Sequence, residues 1–353
     1  PDPTAQTSTP NIARHGPHGA GSAAAVTNNA IGMSSLSWNC KFMALNIANP
    51  NVDDLWSYFF EGIVYAAANG ADVISVSGGS PFYTEFGREV VEFAHANGAL
   101  VVAAAGNDDQ NIDLAPFYPA NYDHVLSVGA VTGGDDVKAG FSNYGLSVDV
   151  FAPGTGIFST TPGDTYQFLQ GTSMATPMVA ALAGLVKTFR PAWSPDQVAE
   201  QIRVTCDDIR GFNAGIAGQI GKGRINAIRA LLQPSPSVRI REVSFTESGN
   251  DGIIHAGDTV VITLDLINYL ENTANLSLAL RPVDANIGFL QASAGIPLLN
   301  TGQSTTVQFE VVIDPGLAAG YRLPFVLDIT DGNTYIDADF FAFEAMPIAV
   351  RTH

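Results

Sequence analysis

The sequence predicts an α/β unit over residues 1–233, a mostly parallel sheet with helices on both faces, followed by an all-β sandwich over residues 238–353. The first observation behind this is the alternation of short, wholly apolar runs such as Leu100–Ala104 with helical segments, the pattern of a sheet buried on both faces. The second is a change of period after the linker Gln233-Pro234-Ser235-Pro236-Ser237, beyond which apolar residues alternate strictly with polar ones. The third is size: 353 residues, 46% of them apolar, suffice for two separate cores.

In chain order, the first fourteen residues are polar and carry no periodic pattern. Arg14 to Ala25 reads as a small-residue helix opened by His15, and Lys41–Ile47 as a buried strand holding Cys40 at its edge. Asp53 or Asp54 caps a helix with Trp56, Phe59, Phe60, Ile63 and Ala67 on one face, ended by Gly70. Strand Val73–Ser77, a helix over 84–97 stopped by Asn97-Gly98, strand Leu100–Ala104 and strand His124–Gly129 follow. The run Met178–Val186 is a buried helix with Pro177 in its first turn, where a missing N–H costs little. Ser194-Pro195-Asp196-Gln197 is a capping box, and Gly221–Asn226 leads into a short helix ending near Leu232. In the second unit the period of two runs through Val260–Leu266, Val307–Ile313 and Leu323–Ile329, with a turn at Asp331-Gly332.

A net charge of −18 and a pI near 4.4 argue against nucleic acid or an anionic membrane as partner. No apolar run reaches the length of a membrane span, and the opening Pro-Asp-Pro reads as a processed or trimmed product without a signal peptide. Cys40 and Cys206 form no metal pattern; two buried thiols are favoured over one disulfide.

The chemistry is carried by Gln170-Gly171-Thr172-Ser173-Met174-Ala175-Thr176-Pro177, which places a serine at a helix head. An arbitrary serine there is a cap. This one sits in a heptad that resembles the nucleophile motif of the subtilisin-like serine peptidases. His15-Gly16-Pro17-His18-Gly19-Ala20-Gly21 is similar to that family's histidine motif, departing at Pro17 and Gly19. The resemblance implies His15 as general base. Ala104-Ala105-Gly106-Asn107-Asp108 resembles the segment whose Asn completes the oxyanion hole, a role shared between Asn107 and the Ser173 backbone. Ser77-Gly78-Gly79 matches the strand end that pairs with an extended substrate, and Ala105, Gly106 and Thr172 line the same cleft by resemblance. Tyr118-Pro119-Ala120-Asn121-Tyr122 matches a wall of the specificity pocket, with Pro119 cis by resemblance. Phe117 stands where well-known members often have Gly, so it narrows the pocket or gives it an aromatic face. Phe141–Gly145, Phe151–Gly154 and Gly221–Asn226 also follow the family, so the resemblance covers residues 14–232.

The family's triad runs Asp, His, Ser along the chain. Only Asp2 is acidic before His15, and it reads as a solvated terminal turn, so no triad acid is assigned. The favoured expectation is that an N-terminal fragment bearing the acid and a central strand was cleaved off and stays associated; truncation and a pseudo-enzyme are the alternatives. Thr27–Met33 resembles a calcium-binding loop, with Asn29 as the side-chain ligand. Glu247, Asn250, Asp251 and Asp258 read as a solvated acidic loop before a second calcium site. The resemblance implies a secreted serine endopeptidase acting on extended protein segments, with no cofactor in the chemistry. The reading of a different class is a silent binding or adhesion protein on a peptidase scaffold. The β-rich tail looks like the immunoglobulin-like modules of secreted bacterial peptidases.

Overall fold

The computed structural model describes residues 10–47, 58–283, 287–317 and 320–344. Asp2, Asp53, Asp54 and Trp56 therefore lie outside the described residues. The chain divides into two compact units, Pro1–Gln233 and Pro234–His353.

The first unit runs α1 (Pro10–Ala24), α2 (Phe59–Ala68), β1 (Val73–Val76), α3 (Glu85–Ala96), β2 (Leu100–Ala104), β3 (Val125–Val131), β4 (Val150–Pro153), β5 (Ile157–Thr161), β6 (Thr165–Leu169), α4 (Thr172–Phe189), α5 (Pro195–Val204) and α6 (Ala227–Leu232). Strands β1 to β4 form a parallel sheet in sequence order. Strand β2 shows why it is apolar throughout: Leu100 and Val102 pack with α4, α5 and α6, while Val101 and Ala103 pack with α2 and α3 on the other face. Each strand thus delivers its carboxyl end to one rim of the sheet, where Ser77 follows β1 and Asn107 follows β2. The capping box at Ser194 is formed in full, with Pro195 and Asp196 in the first turn of α5.

Three expectations fail locally. Helix α1 begins at Pro10, not at His15, because Pro fits a first helical position and small residues pack without a long apolar stripe. Residues 41–47 form no strand: they have no ladder partner among the described residues, and Lys41–Ala44 are exposed. Helix α4 begins at Thr172, so Pro177 lies a turn inside it rather than in its first turn. Both cysteines are free thiols, but only Cys206 is buried as expected, where burial pushes the thiol up to about 12; Cys40 is half-buried.

The second unit holds β7 (Val238–Glu247), β8 (Thr259–Asn268), β9 (Thr273–Pro282), β10 (Ile287–Gln291), β11 (Ser293–Leu299), β12 (Ser304–Ile313), β13 (Arg322–Thr330) and β14 (Ile336–Glu344). They make two four-stranded sheets, β10-β12-β8-β7 and β11-β9-β13-β14. Leu264 and Phe309 of one sheet and Leu278 and Leu327 of the other share one core, so the unit is an all-β sandwich. The acidic loop is a built turn: buried Glu247 accepts the N–H groups of Asn250, Asp251 and Gly252. Its carboxylate is thereby committed to the backbone instead of to solvent.

Candidate active site

The candidate nucleophile, Ser173, stands at the head of α4. Gly171 caps the helix, and half-buried Ser173 sits in its first turn. Its hydroxyl donates to the Ser77 carbonyl at 3.1 Å, and the Ser77 hydroxyl donates back to the Ser173 carbonyl at 2.9 Å. Pro177 explains the second bond. It has no N–H for the carbonyl four residues earlier, which is that of Ser173, so this acceptor is left for Ser77. The proline therefore ties the nucleophile's turn to the end of β1.

The backbone N–H of Ser173 has no acceptor among the described residues, as expected at a helix N-terminus. Beside it, Asn107 is oriented by Thr172, whose N–H and hydroxyl both donate to Asn107 Oδ1, at 2.8 and 3.0 Å. A backbone N–H can only donate, so the carbonyl end of the amide must face Thr172. The Nδ2 group then projects outward from an exposed side chain, with no acceptor among the described residues. Two donors, one backbone and one side-chain, thus lie at the head of α4 without acceptors among the described residues.

The loop carrying Asn107 is clamped by Asn143, a residue that sequence reasoning gave no role. Asn143 Nδ2 donates to the Ala105 carbonyl at 2.8 Å, and its Oδ1 accepts from Asp108 and Gln110 at 2.9 and 3.0 Å. Gly106 lets it approach: φ is +103°, and a Cβ there would lie 2.4 Å from Asn143 Nδ2. The motif Phe141–Gly145 was visible in the sequence, but its target loop is distant in the chain. Asn107→Ala is expected to lower kcat about 10²- to 10³-fold with little change in KM, because the donor acts on the transition state. Steady-state hydrolysis of a peptide anilide measures this; a loss confined to KM contradicts the oxyanion role.

His15 lies in α1, which packs against α4 and β5. The imidazole is half-buried and has no side-chain hydrogen bond among the described residues, to Ser173 or to any carboxylate. Burial, and then the neighbouring His18, lower its pKa below the ordinary imidazole value. His18 is the anchor of the pair. Its Nε2 meets the carbonyls of Ile157 and Gln167 at 3.0 and 3.2 Å, so Nε2 carries the proton and fixes α1 to the β5–β6 hairpin. Ser77 thus bonds to Ser173, and Asn107 to the adjoining Thr172, while the His15 imidazole is on an adjoining helix, without an orienting partner among the described residues.

Beyond β1 the chain runs from Ser77 through Gly78 and Gly79 to Ser80, which exchanges backbone hydrogen bonds of 2.8 and 2.7 Å with Tyr118. The Phe117 ring lies between the two strand-end segments: a Cβ on Gly79 would be 2.7 Å from Phe117 Cε1, and one on Gly106 3.4 Å from its Cδ1. The Tyr118–Pro119 bond is cis. In the Thr27–Met33 loop, Asn29 Oδ1 accepts its own turn's Ile31 N–H, and the loop holds no carboxylate. These oxygens alone do not make the charged cage of six to eight ligands that calcium takes.

Comparison with known proteins identifies the family. The subtilase family model matches residues 1–223. Thermitase of Thermoactinomyces vulgaris is 41% identical over 217 residues, covering 62% of this chain and 74% of thermitase. A thermophilic serine proteinase of Bacillus sp. (strain AK1) is 39% identical over 221 residues, covering 63% of this chain but 53% of the relative. Among solved structures, a protease chain from Pseudoalteromonas arctica PAMC 21717 is similar with a TM-score of 0.54 and 31% identity, covering 62% of this chain and 70% of that one.

Proposed function

The chain belongs to the subtilase family of serine peptidases, and from that membership we propose that it is the Ser- and His-bearing part of a secreted endopeptidase that cuts extended protein segments. The observation that carries the proposal is the pair of donors without acceptors among the described residues, Ser173 N–H and Asn107 Nδ2, at the head of the helix that carries the Ser173 hydroxyl, with Asn107 held there by Thr172. In the reaction, Ser173 Oγ leaves the Ser77 carbonyl, gives its proton to His15 and bonds to the scissile carbonyl carbon. The carbonyl oxygen becomes an oxyanion between the two donors. His15 then protonates the leaving amine as the C–N bond breaks. Water, deprotonated by His15, attacks the acyl-enzyme, and the proton returns to Ser173 Oγ. The substrate backbone pairs with Ser77–Gly79, which suits a peptide of any sequence.

The triad acid is proposed to lie on an N-terminal fragment, cleaved yet associated. Two features support this: among the described residues, His15 has no orienting partner and the outer edge of β1 is unpaired. A strand placed there satisfies backbone groups and covers apolar surface. Phe42 and Met43 are exposed on the ladderless stretch 41–47. Structural calcium is proposed only as an ion shared between Thr27–Met33 and that fragment, which must supply the carboxylate.

Labelling with a fluorophosphonate probe tests the enzyme reading: the adduct is expected on Ser173 in the native protein. Failure to label even with the acid-bearing fragment present favours the silent scaffold. Intact-mass analysis tests the fragment separately, since a 37.1 kDa chain with no companion removes that account. Secretion is supported by the acidic, Gly- and Pro-rich composition. No helix among the described residues is long and apolar enough to cross a membrane.

Phe117 sets the proposed side-chain preference. With its ring between the walls, small P1 residues fit best. Phe117→Gly is expected to raise kcat/KM for a P1 Phe substrate roughly ten-fold or more relative to P1 Ala. An unchanged ratio across a P1 series places the ring outside the pocket.

A further inference from the structure

Apart from the active site, three elements of the peptidase unit bring together side chains that the proposed chemistry leaves unused. His95 is in the last turn of α3, His124 directly precedes β3, and Asp196 is in the first turn of α5. One ligand atom from each lies within 4.8 Å of the others, the only such His/Cys/Asp/Glu group among the described residues. His95 Nε2 is 2.9 Å from Asp196 Oδ2, and His124 Nδ1 is 3.4 Å from Oδ1. The two rings stack with centroids 3.8 Å apart, so both nitrogens face the same carboxylate. All three side chains are partly shielded yet reachable, at 25%, 37% and 22% exposure in that order. Glu92 and Asp123 add negative charge around His124.

We propose that His95, His124 and Asp196 form a binding site for one divalent transition-metal ion, zinc foremost. The donor set selects the class, since two imidazoles and a carboxylate suit zinc, copper or nickel, whereas calcium and magnesium take oxygens alone. The spacing is within reach: one ligand atom from each residue lies within 4.8 Å of the others, and zinc bonds of about 2.0–2.2 Å draw the ligand atoms of a tetrahedron to about 3.3 Å apart. Water supplies the fourth ligand. Coordination asks the rings to open from their 18° interplanar angle, and His124, the more exposed ring, is the one that turns. The ion then ties the end of α3 and the entry to β3 to the start of α5.

The test is calorimetric titration of the chelator-stripped full chain with zinc, alongside a His95→Gln/His124→Asn variant. Gln keeps the helix, and Asn tolerates the left-handed backbone at residue 124, where φ is +62°. One equivalent is expected to bind to the native chain, with affinity reduced about 100-fold or more in the double variant. Asp196→Asn, which leaves both rings in place, is expected to weaken binding about ten-fold or more and covers the case of a double variant that does not fold. Copper bound in place of zinc is expected to show an electron paramagnetic resonance spectrum with coupling to two nitrogens. Absence of a bound equivalent overturns the proposal. So does undiminished affinity in the folded variants, which moves the metal to another histidine such as His15.

Discussion

With the proposed acid-bearing fragment bound, Ser173→Ala is expected to lower kcat about 10⁶-fold, the order that removing the serine costs in a subtilisin. His15→Ala is expected to cost about as much, and the double substitution no more than either alone. The reason is that neither group acts by itself: the hydroxyl is a poor nucleophile until an imidazole takes its proton, and without the hydroxyl there is no acyl-enzyme for the imidazole to hydrolyse. What survives is the contribution of Asn107, the Ser173 N–H and substrate binding, about 10³- to 10⁴-fold over water. The prediction sharpens for the chain without its companion. If absence of the acid already costs about 10⁴-fold, Ser173→Ala costs only about 10²-fold more there. Peptide anilide hydrolysis normalised by active-site titration reads both ratios. Additive losses in the double variant would show that Ser173 and His15 do not act as one unit.

The parts of this site that were legible in the sequence are those made by local chain. The capping box at Ser194 lies within a few residues of itself, and both halves of it are formed. The wholly apolar run Leu100–Ala104 can be satisfied only by a strand covered on both faces. The heptad around Ser173 carries its helix, its cap and its nucleophile together. What depends on partners elsewhere in the chain was not legible. Residues 41–47 have the apolar content of a strand, but a strand exists only against a neighbour, and none is there among the described residues. Asn143 looked like a motif letter because its work is done on the Ala105–Gln110 loop. Strand β14 escaped the period-of-two reading because its inward positions include Asp337 and Asp339. Asp339 accepts the Ile240 N–H at 2.7 Å, and Asp337 accepts the Tyr335 hydroxyl at 3.1 Å, so acids occupy places where a pattern search expects apolar residues.

Adding the proposed companion fragment to the chain alone is expected to raise kcat about 10⁴-fold, the contribution of the acid in such triads. It is also expected to move the acid limb of the kcat/KM profile to higher pH. Burial first and His18 second hold the His15 pKa below its ordinary value, and only the neutral imidazole can act as base. In the chain alone, activity therefore persists down to a pH below the usual imidazole range. A carboxylate placed beside His15 favours the protonated ring and raises that pKa, so activity is lost earlier as pH falls. The same carboxylate makes the ring a stronger base and holds it in one orientation, which is where the gain in rate arises. A companion with its Asp changed to Asn separates the two contributions of the fragment. It is expected to pair with the open edge of β1 and raise the melting temperature as the native fragment does. Rate and acid limb should stay where they are without it. Should the Asn form restore the rate as well, the fragment acts by completing the sheet, and the orientation of His15 comes from packing instead of from charge.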